Sequence, residues 1–343
     1  MTLILKVDSS NPDKGAIAKA AQIIRSGGLV AFPTETVYGL GANALDGAAV
    51  KKIYEAKGRP SDNPMIVHIA DKKALAQIAE VTPSAEKLAG VFWPGPLTIV
   101  LKKKKIVPKE TTGGLDTVAV RMPDHLVALA LISEADVPIA APSANLSGKP
   151  SPTKAAHVIE DFNGKIDCII DGGSSRIGLE STVLDLTSEI PTILRPGFIT
   201  PEDVRDVLGS VAIHPGATGK VDEGNAKSPG MKYRHYAPKA KMILFEGEKE
   251  KVLARIAKEA KAQKSAGVLL FDDIPGISKK IKILVGGNTS NNIETQCRIY
   301  DALREFDTRG VDLILAQGIA PEGFGLAIMN RLRRAAGYSI VNV

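Results

Sequence analysis

The sequence predicts a two-domain α/β protein, with a large mixed sheet over residues 1–214 and a smaller parallel sheet over residues 240–343. Three observations carry this. The chain has 343 residues, 44% of them hydrophobic and 24% charged, which is ordinary globular composition and enough length for two cores. Apolar runs of strand length recur through the first two thirds, but helical patterns separate only some of them, which argues against a regular doubly wound sheet. After a polar stretch over 215–239, short apolar runs alternate with helical patterns, as in βαβ units.

Taken in order, the first strand falls at Leu3 to Lys6. Asn11-Pro12 then opens a helix that Gly27-Gly28 closes, with proline in the first turn and glycine past the end. A strand follows at Leu29 to Phe32. Asp46 and Asp71 are expected N-caps of helices reaching about Ala56 and Glu80. The runs MIVHIA, LTIVLK, TVAVRM, VPIAAP, DCIIDG and STVLDLT are expected strands. The stretch 215–239 has almost no apolar periodicity, and a connection that long inside a compact protein needs a job. Arg234, His235 and Tyr236 stand together in its second half, so the segment from Lys227 to Tyr236 is expected to act as a lid. Beyond it, KMILFEG, AGVLLFD, IKILVGG and VDLILAQG are expected strands, with helices over Lys249 to Lys264 and Ile293 to Asp307.

Two segments look like halves of one pocket. LVAFPTETVYGLG and IAAPSANLSGKPSPT are each an apolar strand that breaks at a proline into small hydroxyl and amide side chains. Thr34, Thr36, Ser143, Asn145 and Ser147 should therefore gather at strand ends, where α/β proteins bind ligands. Lys57 and Arg59 follow an expected helix and add positive charge suited to phosphate, although cations at a helix C-terminus also simply complement its dipole.

Bulk features exclude several classes. The longest apolar run, Leu126 to Ile132, is far short of the roughly 20 residues of a membrane span, and no signal-peptide pattern opens the chain; a cytoplasmic protein without membrane contact is expected. The two cysteines, Cys168 and Cys297, suggest neither a disulfide framework nor a zinc site. The net charge of +6 is uneven: residues 1–216 carry 23 Lys+Arg against 24 Asp+Glu, and the remainder 21 against 14. The basic excess lies outside the pocket and is interleaved with glutamates, which favours a solvated helix face over an RNA surface.

The familiar nucleotide motifs fail. Ser147-Gly148-Lys149-Pro150 lacks the first glycine and the final hydroxyl of a P-loop, and Gly39-Leu40-Gly41 is a weak dinucleotide match spoiled by its polar turn. With no metal-ligand spacing, nucleophile elbow or paired carboxylates, positioning and charge stabilisation should dominate any catalysis. His68 alternates with apolar residues, so a satisfied core histidine and a ligand contact both fit. Arg121 ends an expected central strand and needs a partner: Asp116 or Glu180 as a structural pair, or a ligand carboxylate.

The segments PTETVYGLG, KGRPSDNPMIVHI, WPGPLT, VAVRMP, APSANLSG, ESTVLDL and LRPG, in that order over most of residues 20–200, resemble the YrdC-like family in its long two-domain form. The resemblance implies a twisted mixed sheet with a concave pocket, followed by a Rossmann-like three-layer C-terminal domain. It implies condensation of L-threonine, bicarbonate and ATP to L-threonylcarbamoyladenylate and pyrophosphate by a nucleotidyltransferase, with Mg²⁺ accompanying ATP. By the resemblance the product would feed a tRNA threonylcarbamoyl-transferase complex, with a weak tRNA contact. By this resemblance Thr34, His68, Arg121, Ala141 and Ser181 would contact threonine, with Arg121 as carboxylate anchor. Lys57, Arg59, Ser61, Thr117, Ser143, Asn145, Ser151, Arg195, Arg234 and Tyr236 would contact the nucleotide, Lys57, Arg59 and Arg121 forming the catalytic charge set. Two other readings are an RNA-binding module without ATP turnover and a carbamoyltransferase of the hydrogenase-maturation type.

Overall fold

The computed structural model describes residues 1–218, 236–263, 265–275, 277, 282–285 and 298–343. Within them lie two sheets. The first runs β1 (Leu3–Lys6), β2 (Val30–Phe32), β3 (Gly39–Asn43), β4 (Ile66–His68), β5 (Leu97–Lys102), β6 (Thr117–Arg121), β7 (Ile139–Ala140), β8 (Cys168–Asp171), β9 (Thr182–Asp185), β10 (Thr192–Arg195) and β11 (Ala212–Ile213). Its spatial order is β1-β8-β2-β3-β7-β4-β6-β5-β9-β10-β11. Pairings are of both senses: β4 lies parallel to β6, whereas β7 opposes both β3 and β4. The expected mixed sheet is therefore observed. The strands are nearly all-apolar because helices cover the sheet, and their side chains build the main core.

Helix ends follow the local chemistry. Asp13 and Asp46 accept from backbone amides in the first turns of helices 14–25 and 47–57. Gly58 closes the second helix in the left-handed region at φ 60, a conformation that costs other residues a Cβ clash, and this turn leaves Lys57 and Arg59 where the helix ends. Asp71 caps only a 3₁₀ turn, 72–74, followed by a four-residue helix, 75–78. The single helix expected to reach Glu80 is broken there, because the chain must turn so that Glu80 N–H can bond Lys102 O in the neighbouring strand.

The second sheet comprises β12 (Lys241–Glu246), β13 (Ala266–Leu270), β14 (Lys282–Leu284), β15 (Leu313–Gln317) and β16 (Ile340–Asn342), ordered β14-β13-β15-β12-β16 with every pairing parallel. Helices 249–262, 299–309 and 325–335 pack on it. One core of this domain includes Val37, Leu179 and Tyr236 alongside Tyr300 and Met329, so the two domains share a packed interface.

Candidate functional site

A cleft open to solvent forms where strands of the first sheet end. Parallel register places His68 directly beside Arg121 at the ends of β4 and β6. The turn after β2 supplies Thr34 and Thr36, whose hydroxyls meet at 2.9 Å, and Thr34 Oγ1 also donates to Val37 O at 2.6 Å. Arg121 is buried and donates from Nη1 to Thr36 Oγ1 (2.8 Å) and from Nε to Gly95 O (3.2 Å). Its ion partner is Glu35, with Nη2 and Oε2 2.5 Å apart. The structural pair expected with Asp116 or Glu180 is thus corrected: the turn after β2 folds Glu35 inward, and Glu180 is held elsewhere.

The neighbouring wall is cationic. Lys57 is buried and donates from Nζ to Ser143 O at 2.5 Å and to Asn145 O. Burial, then the nearby Arg59 charge, hold its ammonium well below the usual lysine range, opposed by Asp161. Arg59, half-buried, donates to the carbonyls of Asn63 and Pro64. Burial pulls it down to about 10, Arg195 acting the same way and Tyr54 and Tyr236 opposing. Arg195, buried, donates to Ser181 O and Ser181 Oγ, each at 3.1 Å. Gly197 backs this wall: a Cβ there would lie 2.3 Å from Thr182 N, so only glycine allows the chain so close behind Ser181.

His68 is buried, and burial followed by the Arg121 charge lowers it to about 3. It is a neutral imidazole at pH 7, and among the described residues its Nδ1 has no hydrogen-bond partner. The site therefore offers a neutral hydrogen-bonding ring beside one arginine, and three more basic side chains, of which Arg59 is within electrostatic reach of both Lys57 and Arg195. Such a site can orient a carboxylate and offset phosphate charge.

Of the residues expected from sequence, Thr34, Lys57, Arg59, His68, Arg121, Ala141, Ser143, Asn145, Ser181, Arg195 and Tyr236 line this cleft. Three do not. Ser61 is exposed on the turn after Arg59. Thr117 starts β6, at the opposite end from Arg121 and so about 13 Å away along the strand. Ser151 is buried behind the wall, donating to Glu180 Oε1 at 2.5 Å. Arg234 and most of the expected lid from Lys227 to Tyr236 lie outside the described residues. The clustering of Thr36 and Ser147 with the other small polar residues is observed. Sequence reasoning did not place Val37, Tyr38, Gly39, Ile66 and Pro142 on the wall, where they also sit, nor Glu180 as a lining group. An acidic residue immediately before Ser181 was the one signal available for Glu180.

The fold and the cleft define a two-domain α/β enzyme whose ligand site lies at strand ends of a mixed sheet and is charged for anions. The family model for Sua5, YciO and YrdC, described as telomere recombination, matches residues 22–197, and one described as the threonylcarbamoyl-AMP synthase C-terminal domain matches residues 199–337. The chain belongs to the Sua5–YciO–YrdC family. It is 54% identical to the threonylcarbamoyl-AMP synthase of Pyrococcus abyssi, covering 100% of both chains, and 48% identical to that of Bacillus subtilis, covering 97% of this chain and 96% of the relative. The crystal structure of P. abyssi Sua5 complexed with L-threonine superposes with a TM-score of 0.93 at 53% identity over 100% of each chain. The E. coli YciO structure gives 0.53 at 27% identity, covering 57% of this chain and 96% of that one.

Proposed function

We propose that this chain is a threonylcarbamoyl-AMP synthase, a nucleotidyltransferase that joins L-threonine, bicarbonate and ATP into L-threonylcarbamoyladenylate and releases pyrophosphate. The observation that carries this reading is the division of one cleft into two charge environments. Arg121 stands beside neutral His68 and the Thr34–Thr36 hydroxyls, while on the neighbouring wall Arg59 lies within electrostatic reach of both Lys57 and Arg195. The first suits an amino acid, the second a triphosphate, and the P. abyssi relative was crystallised with L-threonine.

Arg121 donates from Nε to Gly95 O and from Nη1 to Thr36 Oγ1 and meets Glu35 only as an ion contact, so it keeps donors for the threonine carboxylate. The threonine amine takes up carbon from bicarbonate, losing water, to form a carbamate. A carbamate oxygen then attacks the α-phosphorus and pyrophosphate leaves. Lys57, Arg59 and Arg195 offset the charge that builds on the phosphates. Ser143 and Asn145 would face the nucleotide, and Ala141 and Ser181 the threonine.

Mg²⁺ enters as part of the Mg–ATP substrate. Among the described residues no group of three or more His, Cys, Asp or Glu gathers to hold a metal, and the lining carboxylate Glu180 is already engaged by Ser151 and Tyr300. The product, a mixed anhydride of carbamate and phosphate, would be consumed by a tRNA threonylcarbamoyl-transferase complex. We place the reaction in the cytoplasm, where its three substrates meet; no helix among the described residues is long and apolar enough to cross a membrane.

Pyrophosphate release should require ATP, threonine and bicarbonate together, with the adenylate detected by mass. Equal release without threonine, or salt-sensitive RNA binding with no turnover, would overturn the reading.

A further inference from the structure

The second domain reaches the cleft through one carboxylate. Glu180 lines the cleft and is 6% exposed, yet its oxygens are occupied. Oε1 accepts from Ser151 Oγ at 2.5 Å and from Tyr300 OH at 3.1 Å; Oε2 accepts from Tyr300 OH and from Arg331 Nε, each at 2.9 Å. Tyr300 and Arg331 lie on helices 299–309 and 325–335 of the second domain. Arg331 is fully buried and also donates from Nη1 to Pro196 O (2.9 Å) and Asn330 Oδ1 (3.0 Å). Its guanidinium carbon sits 5.7 Å from the Tyr236 ring centroid, and that ring packs 5.3 Å from Tyr300.

A bare carboxylate on this wall would face the same phosphates that Arg195, anchored on adjacent Ser181, is placed to attract. In a low-dielectric cleft such repulsion is strong. Its lone pairs are turned toward Ser151, Tyr300 and Arg331, which makes it a poor proton acceptor. The same contacts tie the 143–151 segment, through Ser151, to the 180–181 turn, so they fix the spacing of two walls.

On the reading that a nucleoside triphosphate binds this cleft, we propose that Arg331 and Tyr300 of the second domain are positioning residues for the nucleotide: they neutralise and orient Glu180 so that the wall carrying Ser181 and Arg195 accepts a polyphosphate. The second domain is then part of the binding site, acting by charge without touching the substrate.

The test uses the full chain with Arg331→Met, Glu180→Gln and the two combined, measuring KM for ATP and for threonine and kcat in pyrophosphate release, with ATP affinity by calorimetry. Arg331→Met alone should raise KM for ATP about tenfold, with less than about threefold change for threonine, and adding Glu180→Gln should return KM for ATP to within about threefold of the parent. A double variant as impaired as Arg331→Met, or equal rises for both substrates, would overturn the inference, because lost packing is not rescued by removing a charge. If Arg331→Met fails to fold, Tyr300→Phe keeps the ring and removes one donor; it should raise KM for ATP about threefold, reversed by Glu180→Gln, and an unchanged KM would again overturn the proposal. ATP affinity in the parent chain with an unrescued double variant refutes this inference alone. No ATP affinity in the parent refutes it together with the functional reading.

Discussion

Two buried arginine–glutamate pairs flank the same cleft and are completed differently. Arg121–Glu35 lies within the first domain, and among the described residues neither Glu35 oxygen nor Arg121 Nη2 has an aligned hydrogen-bond partner despite the 2.5 Å ion contact. Arg331–Glu180 joins the domains, and its carboxylate is met by three donors, Ser151 Oγ, Arg331 Nε and the Tyr300 hydroxyl shared between both oxygens. Buried polar groups are usually satisfied, and a saturated network rigidifies a scaffold. The under-satisfied pair beside His68 is the one with hydrogen-bonding capacity left for a ligand, while the saturated pair holds the walls apart at fixed spacing.

The largest effect is expected from breaking the first pair. Arg121→Ala leaves Glu35 charged and alone, and should lower stability by about 3–5 kcal/mol in denaturant melts. Glu35→Gln in the same chain should return most of that stability without returning threonine affinity. Recovery of both would mean that Arg121 is scaffold like Arg331, and the contrast would collapse.

Acid should separate the two sides next. The folded-state value of His68 is depressed from 6.5 to about 3 by burial and Arg121, so the unfolded chain binds its proton first. Stability should fall by about 1.4 kcal/mol per pH unit for this one group as pH drops from 6.5 to 3. His157, lowered to about 4 by burial and Arg304, contributes over part of the same window, so His68→Asn should remove only one proton's share of the slope. Burial raises Glu180, but Arg331, Arg195 and the hydrogen bonds from Ser151 and Arg331 together outweigh it and lower the carboxyl from 4.5 to about 2. Its stabilisation is present above pH 4.5 and lost as pH falls toward 2. Melts from pH 7 to 3 in His68→Asn with an unchanged slope would show that the imidazole side is no softer than the saturated pair.

Lys57→Met tests the cationic wall at intermediate size. It should reduce kcat/KM for ATP by about 1.5–3 kcal/mol in transition-state terms, with threonine KM nearly constant. Because Lys57 Nζ also holds the carbonyls of Ser143 and Asn145, proteolysis within 143–151 should quicken modestly. An equal loss for both substrates would merge the two charge environments into one. The smallest effect should come from Ser151→Ala, which removes one of the three donors to Glu180. About 1 kcal/mol of stability is expected by denaturant titration, and a much larger loss would mean that the interdomain network depends on each of its members.

Much of the site was legible because it is built from local chemistry. The PTETVYG and APSANLSG turns follow from prolines that end strands and small polar residues that leave space, and Asp46 with Gly58 delimits the helix that delivers Lys57. What was missed follows from packing. Ser61 and Thr117 share the motifs but do not line the cleft, Ser61 lying exposed on the turn after Arg59 and Thr117 at the far end of β6 from Arg121. Helix 325–335, which carries Arg331, was not anticipated: burial of its polar residues Asn330, Arg331 and Arg334 is set by the surfaces packed against it and not by its own pattern.

The sequence by itself determined the residue types that converge on the cleft, the mixed character of the first sheet and the parallel character of the second, since strand length, caps and turns depend on neighbours a few positions apart. Only the tertiary structure decided that Arg121 answers to Glu35 and Thr36, the latter 85 positions away, and Glu180 to Arg331, 151 positions away. It alone also decided that His68 stays neutral. A charge's partner and its degree of burial are set by which surfaces the folded sheets press together, and no local pattern encodes that pressing.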